Sequence, residues 1–332
     1  MLKPFIVFAS VVAVLVGGCF IVQKQPSKTP QTVEKLTIAT VDYAPFALMY
    51  IAQNQGYFKE EGLDVTYKTF PKGIDSLTAA LKGDFDLGLA NETPAVRKIY
   101  EGEKLRIIST LQTSTKNTAI IGRKDKGILT VNDLRGKKIG VALNSSYEFF
   151  LYSFLVSHGI SFSDVVLVDG DLASMSTLLT DGTVDAVATG NIYLYDAQRV
   201  FPPELLSTFQ SEVYTENSVI AGREDIVKNK KEAIARFLRA LVKAEKYYTT
   251  NNKEALDAVV AELPGVSEDS IRGTWNQFTP TLRLDNVLLT LLTREGQWLE
   301  DSGIYKNEFP DFKKAIFTDY LKSIKPEAVT LY

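Results

Sequence analysis

Residues 36–41 (LTIATV) alternate apolar and polar positions, the period of a strand with one buried face, and apolar residues at Leu48, Ile51 and Ala52 then recur with helical spacing up to Gly56. The same alternation of short apolar runs and helical stretches continues. Strands are predicted at 62–67 and 85–90, with a helix over 74–81 closed by Gly83 between them. Thr93 is suited to an N-cap and Pro94 to a first helical position, so Asn91 and Glu92 are placed in the loop between strand and helix.

The design then repeats, with strands predicted at 138–142, 165–168 and 182–188 and helices at 147–157 and 172–179. GDFDLGL at 83–89 and GTVDAVA at 182–188 each read Gly-x-x-Asp followed by a small apolar run. The echo predicts two similar lobes. TAIIGRKD at 118–125 and SVIAGRED at 218–225 share an apolar pair, a Gly-Arg and an acidic residue, and are expected to be two strands that carry the chain into the second lobe and back. Helical spacing dominates afterwards, at 226–248, 255–262 and 287–299, and these helices are expected to back the first lobe.

Strands alternating with helices give a mostly parallel α/β sheet, whose ligands bind outside the carboxyl ends of its strands. That rim contains Asp42, Tyr43, Asn91 and Glu92 in the first half, and Asn191 with Tyr193 close behind in the second. At 144–148 an apolar run breaks into Asn144, Ser145 and Ser146 before a helix. The first turn of a helix has N–H groups without internal partners and a partial positive charge, so this junction suits a hydrogen-bond acceptor or anion. Ser145 and Glu148 also have the spacing of a capping box, which leaves Ser146 freer to face a ligand.

Residues 1–19 differ from the rest: Lys3, an apolar run from 5 to 16, then Gly17, Gly18 and the only cysteine, Cys19. The run is short for a membrane span and has the layout of a secretory signal, and its end resembles a bacterial lipobox in which Cys19 becomes the lipidated first residue. A plain signal anchor is the alternative. Residues 20–35 are polar, contain two prolines and read as a flexible tether. A single cysteine permits no internal disulfide.

With 332 residues the chain has room for two lobes, and its net charge of -3 gives no basic face for nucleic acid. Catalytic and metal-binding sets are not in view. The lone histidine, His158, precedes Gly159 at a helix end where an imidazolium complements the dipole. No catalytic residue, metal site or cofactor is expected.

Four motifs in order, GYFKEEGLDV at 56–65, Gly83-x-x-Asp86, DLRGKKIGV at 133–141 and Gly182-x-x-Asp185-Ala186, resemble substrate-binding proteins of ABC importers. The branch is that of the nitrate, taurine and alkanesulfonate binders and the pyrimidine-precursor binders of thiamine metabolism. The resemblance covers nearly everything from Leu36 onward. It implies a periplasmic-binding-protein fold with two crossing hinge segments, lobe one at 36–120 and 219–332 and lobe two at 121–218. It further implies a monomer, lipid-anchored at the outer face of the cytoplasmic membrane or in the periplasm, that delivers a small molecule to a permease and its ATPase subunits.

Carried over by position, the ligand contacts are Asp42, Tyr43, Ser76, Asn91, Glu92, Ser145, Ser146, Tyr147, Asn191 and Tyr193, with residues 216–218 as a further loop. Carboxylates at Asp42, Glu92 and Glu216, the tyrosine rings, and Lys72 as the only nearby base favour a neutral or cationic ring compound such as a pyrimidine precursor. A sulfonate or nitrate binder is the alternative. A receptor for a signalling partner, expected as a separate chain because no output domain follows Tyr332, is another class. A pyrimidine synthase of related fold uses Cys-rich segments that this chain lacks.

Overall fold

A computed structural model describes residues 32–211, 214–305 and 307–331; Cys19 and the predicted signal and most of the tether lie outside them. The first α/β unit runs β1 (Glu34–Thr40), α1 (Ala47–Asn54), α2 (Tyr57–Glu60), β2 (Leu63–Thr69), α3 (Gly73–Lys82), β3 (Leu87–Asn91), α4 (Glu92–Tyr100) and β4 (Leu105–Ser114). The second runs β5 (Thr118–Arg123), β6 (Lys138–Val141), α5 (Ser146–Ser157), β7 (Val166–Asp169), α6 (Met175–Thr180), β8 (Ala186–Gly190), α7 (Asn191–Val200) and β9 (Leu206–Gln210). The chain returns through β10 (Glu216–Arg223), α8 (Glu224–Asn229), α9 (Lys231–Thr250), α10 (Asn252–Glu262), α11 (Glu268–Thr274), the short β11 (Thr279–Pro280) and β12 (Leu284–Asp285), α12 (Asn286–Asp301), α13 (Asp319–Ile324) and β13 (Val329–Thr330).

Two sheets form, in the orders β11-β4-β10-β3-β1-β2 and β7-β6-β8-β5-β9. In each, the βα strands pair in parallel and a strand from the exchange is antiparallel: β10 against β3 and β4, β5 against β8 and β9. The two segments sharing Gly-Arg therefore lie in different sheets and are not themselves the crossings. The chain changes sheet at 115–117 and at 211–215.

The repeated motifs have a structural reason. Asp86 Oδ2 accepts the Thr37 N–H at 2.8 Å, and Asp185 Oδ2 accepts the Lys138 N–H at 2.9 Å, so each Gly-x-x-Asp ties its strand to the next one. Arg223 grips Asp225 through Nε and Nη2 while Nη1 donates to the Leu81 carbonyl at the end of α3. Arg123 does the same with Asp125 and with the Leu179 carbonyl in the last turn of α6. Gly83 and Gly182, both at positive φ, end those helices beneath the guanidinium; a Cβ at Gly83 would lie 2.9 Å from Arg223 Nη1. Only a residue at home in the left-handed region closes a helix this way without strain.

One expectation needs correction. Helix α4 begins at Glu92 with Asn91 as N-cap, earlier than Thr93, because a carboxylate in the first turn is favoured by the helix dipole. One further late helix, α11, which the apolar spacing does not predict, does not back the first sheet. The α11 helix lies against α7 of the second, with the Ser270 hydroxyl donating to Asp196 at 2.5 Å and Arg199 pairing with Asp269 at 3.3 Å. Among the described residues no helix is long and apolar enough to cross a membrane.

Candidate ligand site between the lobes

The N-termini of α3, α4 and α5 converge on a cavity of ≈ 30 Å³ lined by Val41, Tyr43, Phe46, Gly73, Ala90, Asn91, Pro94, Ser145, Ser146, Tyr147 and Leu172. Gly73 is there because backbone approaches closely; a Cβ would stand 3.0 Å from that of Ala90. Ser145 caps α5, its Oγ accepting the Tyr147 N–H at 3.2 Å and donating to the Ala142 carbonyl at 2.5 Å. The other half of the capping box is shifted: Glu148 accepts from Asn144 N at 2.7 Å, helped by the left-handed φ of 62° at Asn144. Ser146 is thereby left to face the first lobe, where its Oγ lies 3.4 Å from Thr93 N.

A second cleft of ≈ 510 Å³ shares Val41 and Leu172 with the first and is lined further by Asp42, Thr69, Phe70, Pro71, Asp171, Ala173, Tyr193, Asp196, Gly265, Val266 and Ser267. Partial burial pushes the Asp42 carboxyl up. Tyr193 bridges towards the first lobe, its hydroxyl donating to the Asp42 carbonyl at 3.4 Å.

The site expectations thus separate. Tyr43, Asn91, Ser145, Ser146 and Tyr147 meet around the inner cavity, and Asp42 and Tyr193 line the outer one. Ser76 lies behind the wall, fully buried, its hydroxyl within 2.8 Å of the Ala39 carbonyl and 2.9 Å of the Leu89 carbonyl. Asn191 opens α7, and its side chain lies outside the described part of the structure. Lys72 reaches across to Asp169 at 2.8 Å and so is engaged by a carboxylate of the other lobe.

Glu92 and Glu216 do not stand on an exposed rim. Both are fully buried one layer behind the inner cavity. Glu92 accepts from the Tyr214 hydroxyl at 2.5 Å and the Asn217 N–H at 2.8 Å. Glu216 Oε1 accepts from the Tyr43 hydroxyl at 2.8 Å, Asn117 Nδ2 at 2.9 Å and Gln112 Nε2 at 3.0 Å. Tyr147 of the second lobe donates to the Tyr43 hydroxyl at 3.1 Å and completes the seam. Burial, and then the neighbouring Glu92 charge, raise Glu216 to about 8. Burial raises Glu92, and raises Glu295 strongly, where Glu92 adds repulsion. Among the described residues neither Glu295 oxygen has a hydrogen-bond partner, so its burial beside Glu92 favours the protonated form. Burial likewise pushes the Tyr43, Tyr147 and Tyr214 hydroxyls up, so they act as neutral donors.

Gln112, Asn117, Tyr214, Arg97 and Glu295 complete the seam and were not singled out from the sequence. Glu295 left one trace: with Leu288, Leu291, Leu292 and Leu299 it occupies the apolar stripe of α12, a core position for an acid. The lone His158 is the C-cap of α5, as expected, with Nδ1 2.8 Å from the Phe154 carbonyl.

Two α/β lobes facing each other across helix N-termini are the layout of the periplasmic-binding-protein fold. The chain matches the NMT1/THI5-like family model over residues 44–255 and belongs to that family. It is 24% identical over 290 residues to YtlA of Bacillus subtilis (strain 168), covering 81% of this chain and 86% of that protein. Among solved structures it resembles the alkanesulfonate-binding protein SsuA from Xanthomonas axonopodis pv. citri bound to MOPS, with a TM-score of 0.73 at 17% identity over 87% of this chain and 99% of that one. The aliphatic sulphonate binding protein SsuA from Escherichia coli gives 0.74 at 18% identity over 87% and 98%. At such identities the likeness establishes the fold, which is that of periplasmic binding proteins.

Proposed function

We propose that the chain is the extracytoplasmic solute-binding component of an ABC importer, monomeric and held to the membrane through a lipid on Cys19, with residues 20–35 as tether. The solute enters between the lobes and presents an anionic or acceptor-rich head, of the sulfonate kind, to the N-termini of α3, α4 and α5. One observation carries this reading: three helix N-termini meet at a cavity whose lining includes no charged side chain. The N–H groups of each first turn have no intrahelical acceptor and favour negative charge. The carboxylates that argued against an anion, Glu92 and Glu216, are turned into the buried network. Relatives named as aliphatic sulfonate-binding proteins support the same class.

A cavity of ≈ 30 Å³ holds about one or two waters, so an organic solute requires the lobes to part. A planar ring compound is the second reading, favoured by Tyr43, Phe46 and Tyr147 in the wall. Chemistry on the ligand is not part of the proposal, although the desulfurization enzyme DSZB shares the fold with a TM-score of 0.64 at 17% identity. The only cysteine lies in the export segment and the only histidine caps a helix.

Thermal denaturation of the chain from Phe20 onward against nitrate, taurine, alkanesulfonates, pyrimidines and small amines tests this. A ligand at about a hundred times its Kd stabilises by about 2.7 kcal/mol. A shift with sulfonates or nitrate is expected; a shift confined to pyrimidines or amines overturns the anionic reading. Co-purification with a permease, as against a sensor protein, tests the importer role.

A further inference from the structure

Glu216 stands where the second crossing re-enters the first sheet, and its two oxygens have unequal surroundings. Oε1 takes three donors, from Tyr43, Asn117 and Gln112. Oε2 is sealed from solvent and has no hydrogen-bond partner among the described residues. An ionised carboxylate spreads its charge over both oxygens, so a sealed Oε2 without a donor leaves half of that charge unsolvated, whereas a protonated carboxyl leaves only one neutral O–H without an acceptor, a smaller penalty. With no cation among the described residues paired to it, this burial penalises the charged form more than the neutral one. Glu92 differs in this respect, since each of its oxygens receives a donor.

The titratable groups facing Glu216 are Glu92 from α4, Tyr43 from the segment before α1, Tyr147 from α5 and Tyr214 from the crossing; β4 contributes the neutral Gln112 and the first crossing the neutral Asn117. The nearby cations are committed elsewhere. Arg97 pairs with Glu148, and Arg283 pairs with Asp285 and donates to Asn217. Tyr147 is the member belonging to the second lobe, and its hydroxyl rests on that of Tyr43, which in turn donates to Glu216.

We propose that closure of the two lobes takes up one proton from solvent at Glu216, so that the balance between open and closed forms depends on pH. This rests on the lobes parting to admit solute, as in the function proposed above. When Tyr147 withdraws, water reaches the carboxyl and it ionises in the ordinary range. Glu216 is raised from the usual 4.5 to about 8 in the closed form. Between those values the closed form holds a proton that the open form lacks. Raising the pH through the window therefore favours opening, by about tenfold per unit for one proton.

The test is small-angle X-ray scattering of the full chain from pH 5.5 to 9, paired with acrylamide quenching of tryptophan. Trp298 of α12 lies 5.3 Å from Phe149 and 5.6 Å from Tyr152 of α5, and loses that cover when the lobes part. The expected result is a compact form at low pH, with the radius and the quenching both rising toward pH 9. Glu216→Gln keeps the Oε1 acceptor and removes the titration, so it is expected to stay compact throughout. A flat wild-type profile overturns the proposal, and so does a Glu216→Gln profile that follows the wild type. A flat wild-type profile overturns the proposal without the variant, so a variant that does not fold leaves the test falsifiable. A solute-induced thermal shift at fixed pH tests the binding role separately, so the two failures are distinguishable.

Discussion

Arg97 of α4 and Glu148 of α5 form an ion pair of 2.9 Å across the seam between the two sheets, with side chains only 4% and 9% exposed. The guanidinium also lies 5.2 Å over the ring of Trp298, so one cation joins α4, α5 and α12. Removing one partner of a sealed pair strands the other charge, which costs about 3–5 kcal/mol. Arg97→Ala is expected to lower the melting temperature clearly, and chemical denaturation measures it. A loss below about 1 kcal/mol would mean that water reaches Glu148 without resistance.

Neighbouring serines are expected to separate stability from binding. Ser145→Ala removes the N-cap of α5 and is expected to cost about 1 kcal/mol of stability. Ser146→Ala removes a hydroxyl that faces the cavity. Its effect is expected in solute affinity, read by calorimetry with whichever compound of the panel binds, and little in melting temperature.

Ser76→Ala tests the reassignment of that residue. Its hydroxyl serves two buried carbonyls, so the variant is expected to lose about 1–3 kcal/mol of stability with solute affinity unchanged. An affinity loss with intact stability would return Ser76 to the binding surface.

Gly190 ends β8 directly beneath Tyr147. A Cβ at this position would lie 2.7 Å from the Tyr147 hydroxyl, so Gly190→Ala is expected to push the ring off Tyr43. Overpacking of this kind costs about 1–3 kcal/mol, and the tyrosine contribution to near-ultraviolet circular dichroism should change with it.

The Lys72–Asp169 pair should respond to acid. Partial burial pushes the Asp169 carboxyl up, but the Lys72 ammonium and the Leu143 N–H outweigh it and hold the group below its usual 3.8. A lowered carboxyl stabilises the fold fully above that value and loses the contribution as pH falls below it. With Asp169 47% exposed, the pair is worth less than about 1 kcal/mol and should weaken in 1 M salt. Comparing Lys72→Met with the wild type at pH 7 and pH 3 measures it; an equal difference at both would exclude the pair as the cause.

The strands and helices were legible because their cause is local. Leu36 and Ile38 alternate with polar neighbours and face the core, and the helices carry their apolar stripes in the open. The cavity-facing residues were legible for the same reason, since Tyr43, Asn91, Ser145, Ser146 and Tyr147 follow directly on the elements that aim them. The buried network was not. Glu216 meets Tyr43 from 173 residues away and Tyr214 meets Glu92 from 122, and no local pattern marks which rim carboxylate turns inward. The acidic rim expected at Glu92 and Glu216 was lost at that step, because residue type was visible and direction was not, while Asp42 does line the outer cleft. The α11 helix escaped because EDSIRGT offers one apolar residue, Ile271, and Ser270 meets Asp196 only across the fold.

The clasp made by Arg123 with Asp125 has the same bonding atoms as that made by Arg223 with Asp225, yet one sits in each sheet. The molecule therefore contains a matched pair of reporters. Cutting the carboxylate side of the clasp first in one half and then in the other breaks like hydrogen bonds in two places while leaving Arg123 over Phe201, so the two unfolding curves compare how far the halves melt as a single cooperative body.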